Sequence, residues 1–551
     1  MRIKLILIIL IVNLSSCGAQ TSLDKFVGGW AGRVEEKNPF LFDIEIKNTS
    51  NNGMAVVFSG IDSTTEIRLE RETDKYLVGR FQNQLLFRID TTTTQPIAFI
   101  QTGHHLSNIE LNKSPSGTWA GEWNLLISES SSPLFYLSLD KSDDGNYSAS
   151  TFFKEPTFHY MLGQGFTTHQ NEIEFSDIRS NILFKGVLKS EQIDLTLNFL
   201  NEKTKIKLRP LPFEQWEIGQ SSESINNTTP SERFSKLITD IENDTLVGTH
   251  SVIISQHRQI LFEQYFDGFT ANTPHDTRSL SKSFASAITG IAILDQRLKG
   301  ENLPIKNFFE TKYPDMTWGG GKEKITIHHL LTMSSGLDAI DFGLNRNSFA
   351  NEGVYQSQQN WTKYILSAPM VYQPGEMANY GSGNPHLLSP ILNSQIEERL
   401  EFYIHKKLFE PLSIYNYRIQ TNNQDQPYFG GGWYLTPKDL LKFGQLYLNN
   451  GLWDGEEIIS QQWIKKSFDK YYFLDNTFDK NEYGYLFWHK TYNAKGEKIA
   501  SIEARGSGGQ YLFIIPEYEL VVVITSGNYR NNKGFQPEII MEKYILPEIV
   551  K

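Results

Sequence analysis

The stretch "TRSLSKSFASAITGIAIL", residues 277–294, decides how the second half of the chain is read. Two serines, Ser279 and Ser281, stand beside Lys282 at the mouth of a strongly apolar segment. Phe284, Ile288, Ile291, Leu294 and Leu298 follow at helical spacing, which predicts a helix with one buried stripe, closed at Gly300. Ser279 then sits where i and i+3 side chains share a face and where a helix N-terminus favours developing negative charge. By spacing alone two readings stand: a capping serine with a solvated lysine, or a serine nucleophile with its base three residues on. Other S-x-x-K pairs, Ser22/Lys25, Ser138/Lys141 and Ser467/Lys470, do not open a long apolar helix. The nucleophile reading sets a condition. A free lysine, with pKa about 10.4, must be depressed by about three units, roughly 4 kcal/mol, to accept a serine proton at neutral pH. Burial and polar partners are required.

Outward from this helix, "SVIISQHRQILFEQYF" (251–266) reads as a hairpin, and "YLFIIPEYELVVVITSG" (511–527) as two strands covered on both faces. Strands at both ends with helices between predict an α+β domain whose antiparallel sheet unites its termini, flanked by a helical subdomain. Residues 24–218 read as all-β, a barrel or sandwich. "FDIEIK" and "IDLTLNF" alternate apolar and polar residues, the mark of a sheet with one wet face. An internal echo, "GGWAGRV" (28–34) and "GTWAGEW" (117–123), suggests two related β units or one barrel built from both. Nothing chemical stands out in this half; a structural or docking role is favoured over a lipocalin-like pocket. The polar run "SSESINNTTP" (221–230) marks a linker, placed at 219–235, and the second domain occupies 236–551.

Composition narrows the classes. The 551 residues carry a net charge of -11 and no Lys/Arg-rich run, so no nucleic-acid partner is expected. The single cysteine excludes an intrachain disulfide. It ends "LSSC" after Arg2, Lys4 and the apolar run Leu5–Val12, a run too short to span a bilayer. This resembles a bacterial lipobox, implying a signal peptide over 1–17 and lipidation of Cys17. The expectation is export across the inner membrane and an acyl anchor, with the outer membrane, facing periplasm or surface, as the expected location.

Four further segments stand in a recognisable order after the first: "ITIHHLLTMSSGLD" (325–338), "PGEMANYGSGNPHLLSPIL" (374–392), "GGGWYLTPKDLLKFGQLYLNNGLWDG" (430–455) and "ARGSGGQYLFIIPEYELVVVITSG" (504–527). With them, residues 245–548 resemble the serine β-lactamase and penicillin-binding-protein-like superfamily. The branch is that of class C β-lactamase-related hydrolases, which includes esterases, D,D-peptidases and 6-aminohexanoate-dimer hydrolase. The resemblance implies Ser279 as nucleophile, Lys282 as its general base and Tyr380 as proton shuttle, with Ser382 where the Y-x-N motif carries asparagine. It also implies Gly506 and Ser507 in the third motif, with the N–H groups of Ser507 and Ser279 as the oxyanion hole. Ala504 replaces the lysine of K-T-G; Ser382 and Arg505 are implied as substrate-binding side chains, Arg505 as the cation nearest the missing lysine. No metal or organic cofactor is implied, and the substrate is a small ester, amide or peptide. Three functions stay open: an esterase or amidase, favoured for want of the K-T-G lysine; a D,D-peptidase or β-lactamase; and a non-catalytic sensor. No G-x-S-x-G or H-E-x-x-H occurs. His328 and His329 read as a helix start near the core, and Trp433 and Tyr434 as either pocket lining or core.

Overall fold

A computed structural model describes residues 23–550 apart from 35–39, 51–52, 126–133, 154–160, 178–179, 217–231, 343–346, 476, 478–480 and 530. Cys17, the expected signal segment and most of the expected linker lie outside the described residues.

The N-terminal half contains two β units. Seven strands from Leu41–Asn48 to His105–Ile109 run as an antiparallel meander, and seven more from Leu134–Lys141 to Glu202–Pro210 do the same. The echo strands complete them crosswise. Gly28–Arg33 pairs with Leu134–Lys141 and Glu202–Pro210, closing the second unit into an eight-stranded barrel. Trp119–Asn124 pairs instead with Leu41–Asn48, the first meander strand of the other unit. Each repeat thus lends its leading strand to its neighbour. The shared "WAG" has a steric reason. A Cβ on Gly32 would stand 2.4 Å from the Lys207 carbonyl oxygen, and one on Gly121 would stand 2.4 Å from that of Glu110. Both glycines let the leading strand close against the end of a meander. Inward residues of both units, among them Trp30, Phe42, Trp123, Phe184 and Leu197, form one apolar core.

The C-terminal half is α+β. Its helical start precedes the expected boundary: Glu232–Phe234 and Ser235–Glu242 are helical, and Phe234, Leu237 and Ile241 pack on the outer face of the sheet. The sheet has eight antiparallel strands, with Thr249–Gln256 beside Leu520–Ser526, so the domain's two ends are joined. The hairpin 249–265 turns at His257 and Arg258, both with positive φ (49° and 64°), as a tight two-residue turn demands. The helix behind Ser279, Lys282–Leu294, is buried on all sides from Lys282 to Ala292. It ends before Leu298 and Gly300, earlier than the apolar spacing suggests. Gln296 takes the left-handed conformation (φ 57°), and the N–H groups of Arg297 and Leu298 turn back to the Ala292 carbonyl. Leu298 stays buried in the loop, which is why it kept the helical pattern without being helical.

The two halves share a sheet. Strand His105–Ile109 of the first β unit pairs with Arg418–Gln420 of the second domain. That strand pairs with Tyr434–Leu435, which pairs with His275–Asp276, three residues before Ser279. Around this seam Arg88 pairs with Glu401 in complete burial, Lys406 Nζ lies 2.7 Å from Asp90, and Tyr76 stacks on Phe402 at 4.7 Å.

Candidate active site

The turn that carries Ser279 is built by its neighbours. Arg278 has φ 50°, a left-handed conformation that a non-glycine residue holds only when its surroundings impose it. Thr277 supplies the clamp, its N–H and its hydroxyl donating to the Trp433 carbonyl at 2.8 and 2.7 Å. Asp276 supplies the other, its Oδ1 accepting from the Arg278 N–H and its Oδ2 lying 3.0 Å from the guanidinium. A 3₁₀ turn, Arg278–Ser281, then carries Ser279 into the helix.

Lys282 is 1% exposed, and its Nζ donates to Ser279 Oγ at 2.8 Å and to the Gly430 carbonyl. The rival pairs are spent elsewhere: Lys141 on Asp24, and Lys470 on Glu482. Tyr380 lies over the same corner, its ring 5.0 Å from Lys282 Nζ and stacked between Phe342 and Trp488 at 4.9 and 5.3 Å. Burial holds its phenol above the ordinary value, while Lys282 and a hydrogen bond to Ser279 pull the other way. At neutral pH it is a phenol, able to donate a proton.

Ser279, Tyr380, Arg505, Gly506 and Ser507 line one cavity of about 360 Å³. The rest of the wall is aromatic and carboxamide: Phe342, Trp488, Tyr511 and Phe535, with Asn481, Asn528 and Asn532. Gly506 must be glycine. A Cβ there would stand 2.1 Å from the Thr277 carbonyl oxygen and 3.2 Å from Arg278 Cβ, displacing the turn that carries Ser279. Gly506→Ala is accordingly expected to lower kcat about 100-fold, the usual cost of misplacing a reacting group by about 1 Å. Steady-state kinetics beside a melting curve would check this.

Two residues that the resemblance places at the substrate are engaged elsewhere. Ser382 is buried one layer back, its N–H and hydroxyl both donating to Asp341 Oδ2 at 2.6 Å. Arg505 reaches the cavity wall with its charge already used. Its Nε lies 2.6 Å from Glu503, its Nη1 lies 3.1 Å from Glu538, and its guanidinium covers Trp488 and Tyr511. Ala504, in the K-T-G lysine's place, is buried in the strand. Trp433 is core, donating through Nε1 to the Tyr428 carbonyl at 2.8 Å, and Tyr434 is buried beside Asp276. His329 caps its own helix, accepting at Nδ1 from the Thr326 N–H at 3.0 Å, and burial pushes its imidazole down to about 4.

Asp341 escaped the motif reading. It accepts from the Glu352 N–H at 2.9 Å as well as from Ser382. Burial, and then the Glu352 charge, push its carboxyl up to about 6 against the opposing pull of Lys282. The unfolded chain ionises Asp341 near 3.8. Between these values the folded state holds the extra proton, so this group's contribution to stability falls as pH rises through the window. Urea unfolding of wild type and Asp341→Asn at pH values from about 4 to about 7 should therefore drift in the variant's favour up to about pH 6, then level.

The sequence profile of the Beta-lactamase family matches residues 234–539, more than half of the chain. The chain belongs to the Beta-lactamase family of serine hydrolases. An uncharacterized protein from Alkalihalophilus pseudofirmus is 21% identical over 308 residues, covering 52% of this chain and 85% of its own. Two solved structures are similar. The octameric penicillin-binding protein homologue from Pyrococcus abyssi has 22% identity and a TM-score of 0.43, covering 57% of this chain and 78% of that one. A family VIII carboxylesterase has 14% identity and a TM-score of 0.43, covering 55% and 93%. The family match takes in Ser279, Lys282, Tyr380 and Ser507, whereas the two β units fall outside it.

Proposed function

We propose that this β-lactamase-family domain hydrolyses an uncharged ester or amide through an acyl-serine intermediate, on a protein held to a membrane by lipid at Cys17. The observation that carries the reaction is the buried Lys282 Nζ, 2.8 Å from Ser279 Oγ and fixed from behind by the Gly430 carbonyl. Lys282 in its neutral form takes the Ser279 proton as Oγ attacks the carbonyl. The N–H groups of Ser279 and Ser507 hold the oxyanion, an interaction worth about 3–4 kcal/mol per donor in such sites. Tyr380 delivers the proton to the leaving group. Water then attacks the acyl-enzyme, with the same Lys282–Tyr380 pair handling its proton, and Ser279 is restored.

The choice of an uncharged substrate rests on charge balance. A β-lactam or a D,D-peptide presents a carboxylate, and binding it well calls for an unspent cation. Arg505 is already paired with Glu503 and Glu538, and the position of the K-T-G lysine is occupied by Ala504. The lipid anchor is supported by "LSSC" at the end of the apolar leader. No helix among the described residues is long and apolar enough to cross a membrane.

A two-substrate comparison tests this reading. The value of kcat/KM for p-nitrophenyl butyrate should exceed that for the anionic cephalosporin nitrocefin by at least about 100-fold, the discrimination expected when a buried charge is left unpaired. A ratio in favour of nitrocefin would overturn the assignment. Turnover of neither, in folded protein, would favour the non-catalytic sensor.

A further inference from the structure

A cavity of about 690 Å³ lies where three parts of the chain meet, and it shares no lining residue with the Ser279 cavity. Its walls come from the turn at Gln82 and Asn83 in the first β unit, from Asn198–Leu200 in the barrel, and from Asn422–Asp425 in the hydrolase domain. Nothing in the proposed hydrolysis uses it.

Carboxamides dominate the lining: Gln82, Asn83, Gln84, Asn198, Asn422 and Asn423. Three of them are half engaged. Asn181 Nδ2 donates to Gln84 Oε1 at 2.8 Å, which leaves the Gln84 amino group. Asn198 Nδ2 donates to the Leu183 carbonyl at 3.3 Å and Asn423 Nδ2 to the Gln358 carbonyl at 2.8 Å, which leaves both Oδ1 acceptors. Among the described residues those three remaining groups have no partner. The wall thus presents one amino donor, on Gln84, beside two carbonyl acceptors, on Asn198 and Asn423. A hydroxyl is both donor and acceptor, so such a wall suits a ligand dense in hydroxyls. Phe81, only partly buried, adds apolar surface against which the C–H face of a sugar ring packs, whereas Phe199 is held in the core by Phe42 and Trp123.

Charge and topology exclude the competing ligand classes. The charged side chains on the wall are one of each sign, Arg80 and Asp425, and Asp425 already accepts from Gln101 Nε2 at 2.6 Å. An anionic ligand meets no surplus of positive charge. An extended peptide needs an open strand edge, and the nearest edge, His105–Ile109, is taken by Arg418–Gln420.

We propose that this cavity binds a neutral oligosaccharide of about two or three sugar units, at a site separate from the hydrolytic centre. Its size falls in the roughly 300–1,000 Å³ range of small-ligand sites.

Calorimetry and saturation-transfer NMR on the purified full chain test this, with chitotriose, cellotriose and maltotriose as three neutral probes. At least one should bind with Kd of about 1 mM or tighter. Gln84→Leu and Phe81→Ala should each weaken that binding about 10-fold while leaving ester hydrolysis at the wild-type rate. Ser279→Ala should bind the sugar as wild type does. Gln84 is exposed, so Gln84→Leu decides the matter even where Phe81→Ala proves unstable. Failure of folded protein to bind any of the three would overturn the proposal. So would sugar binding unchanged in Gln84→Leu, or binding abolished by an acyl or phosphonyl group on Ser279.

Discussion

Replacing Lys282 by methionine should lower kcat on an ester by at least about 10⁴-fold, on the scale seen when a serine nucleophile loses its base. The chain is expected to stay folded, because methionine fills the same buried volume and the losses are confined to the bonds with Ser279, Gly430 and Tyr380. Lys282→Arg is the sharper variant. Arginine keeps the positive charge and a long side chain but cannot give up its proton in a protein. If Lys282 acts as a base, the arginine variant fails as badly as the methionine one. If it served only to place a charge beside Ser279, arginine would restore most of the rate. Single-turnover kinetics on both variants separates the two, and a normal melting curve rules out misfolding as the cause.

The second large effect is expected far from the chemistry. Arg88 is wholly buried at the seam, pairing with Glu401 and donating to Gln101. Arg88→Met should cost about 3–5 kcal/mol, since it leaves the Glu401 carboxylate buried with only Arg399, 3.7 Å away, to face. The double variant Arg88→Met/Glu401→Leu should recover most of that loss, because removing both charges also removes their desolvation cost. Urea unfolding of the three variants checks the pair. Recovery in the double variant would establish that the single-variant loss is the stranded charge and not lost packing. The same seam makes the β units part of the scaffold behind Lys282. His105–Ile109 backs Arg418–Gln420, whose Gln420 N–H donates to the Gly432 carbonyl at 3.2 Å, two residues beyond the carbonyl that fixes Lys282.

Much of this architecture is legible in the sequence where one physical signal acts alone. Alternation over 42–47 and 193–199 marks strands with one wet face, and both are strands with alternating burial. The continuous apolar runs near the C-terminus mark covered strands, which they are. Misreadings arise where two influences compete. Leu298 is buried, and burial mimics helical periodicity, but the left-handed Gln296 ends the helix first. The echo at 28–34 and 117–123 points to a repeat, whereas the exchange of leading strands is a choice of partner that no local pattern records. The seam strands 275–276, 418–420 and 434–435 are two or three residues long, too short for any alternation to register.

The catalytic corner divides in the same way. Ser279 and Lys282 are close in sequence, so their spacing already carries their geometry. Tyr380, Trp488, Phe342 and Gly430 come from distant segments and are joined only by folding. Asp341 left no motif at all. Its role follows from Ser382, whose short side chain turns back to that carboxylate at 2.6 Å. The neutralisation of Arg505 needed Glu538, 33 residues on and in a different element.

The most direct test of the central claim is covalent labelling of the purified full chain with a fluorophosphonate, read by intact mass and by sequencing the modified peptide. An activated Ser279 predicts one adduct per chain, on Ser279, absent in Ser279→Ala and in Lys282→Met. A folded protein that takes no label, or an adduct on another serine, or labelling of Ser279 that persists without Lys282, would contradict the serine–lysine mechanism.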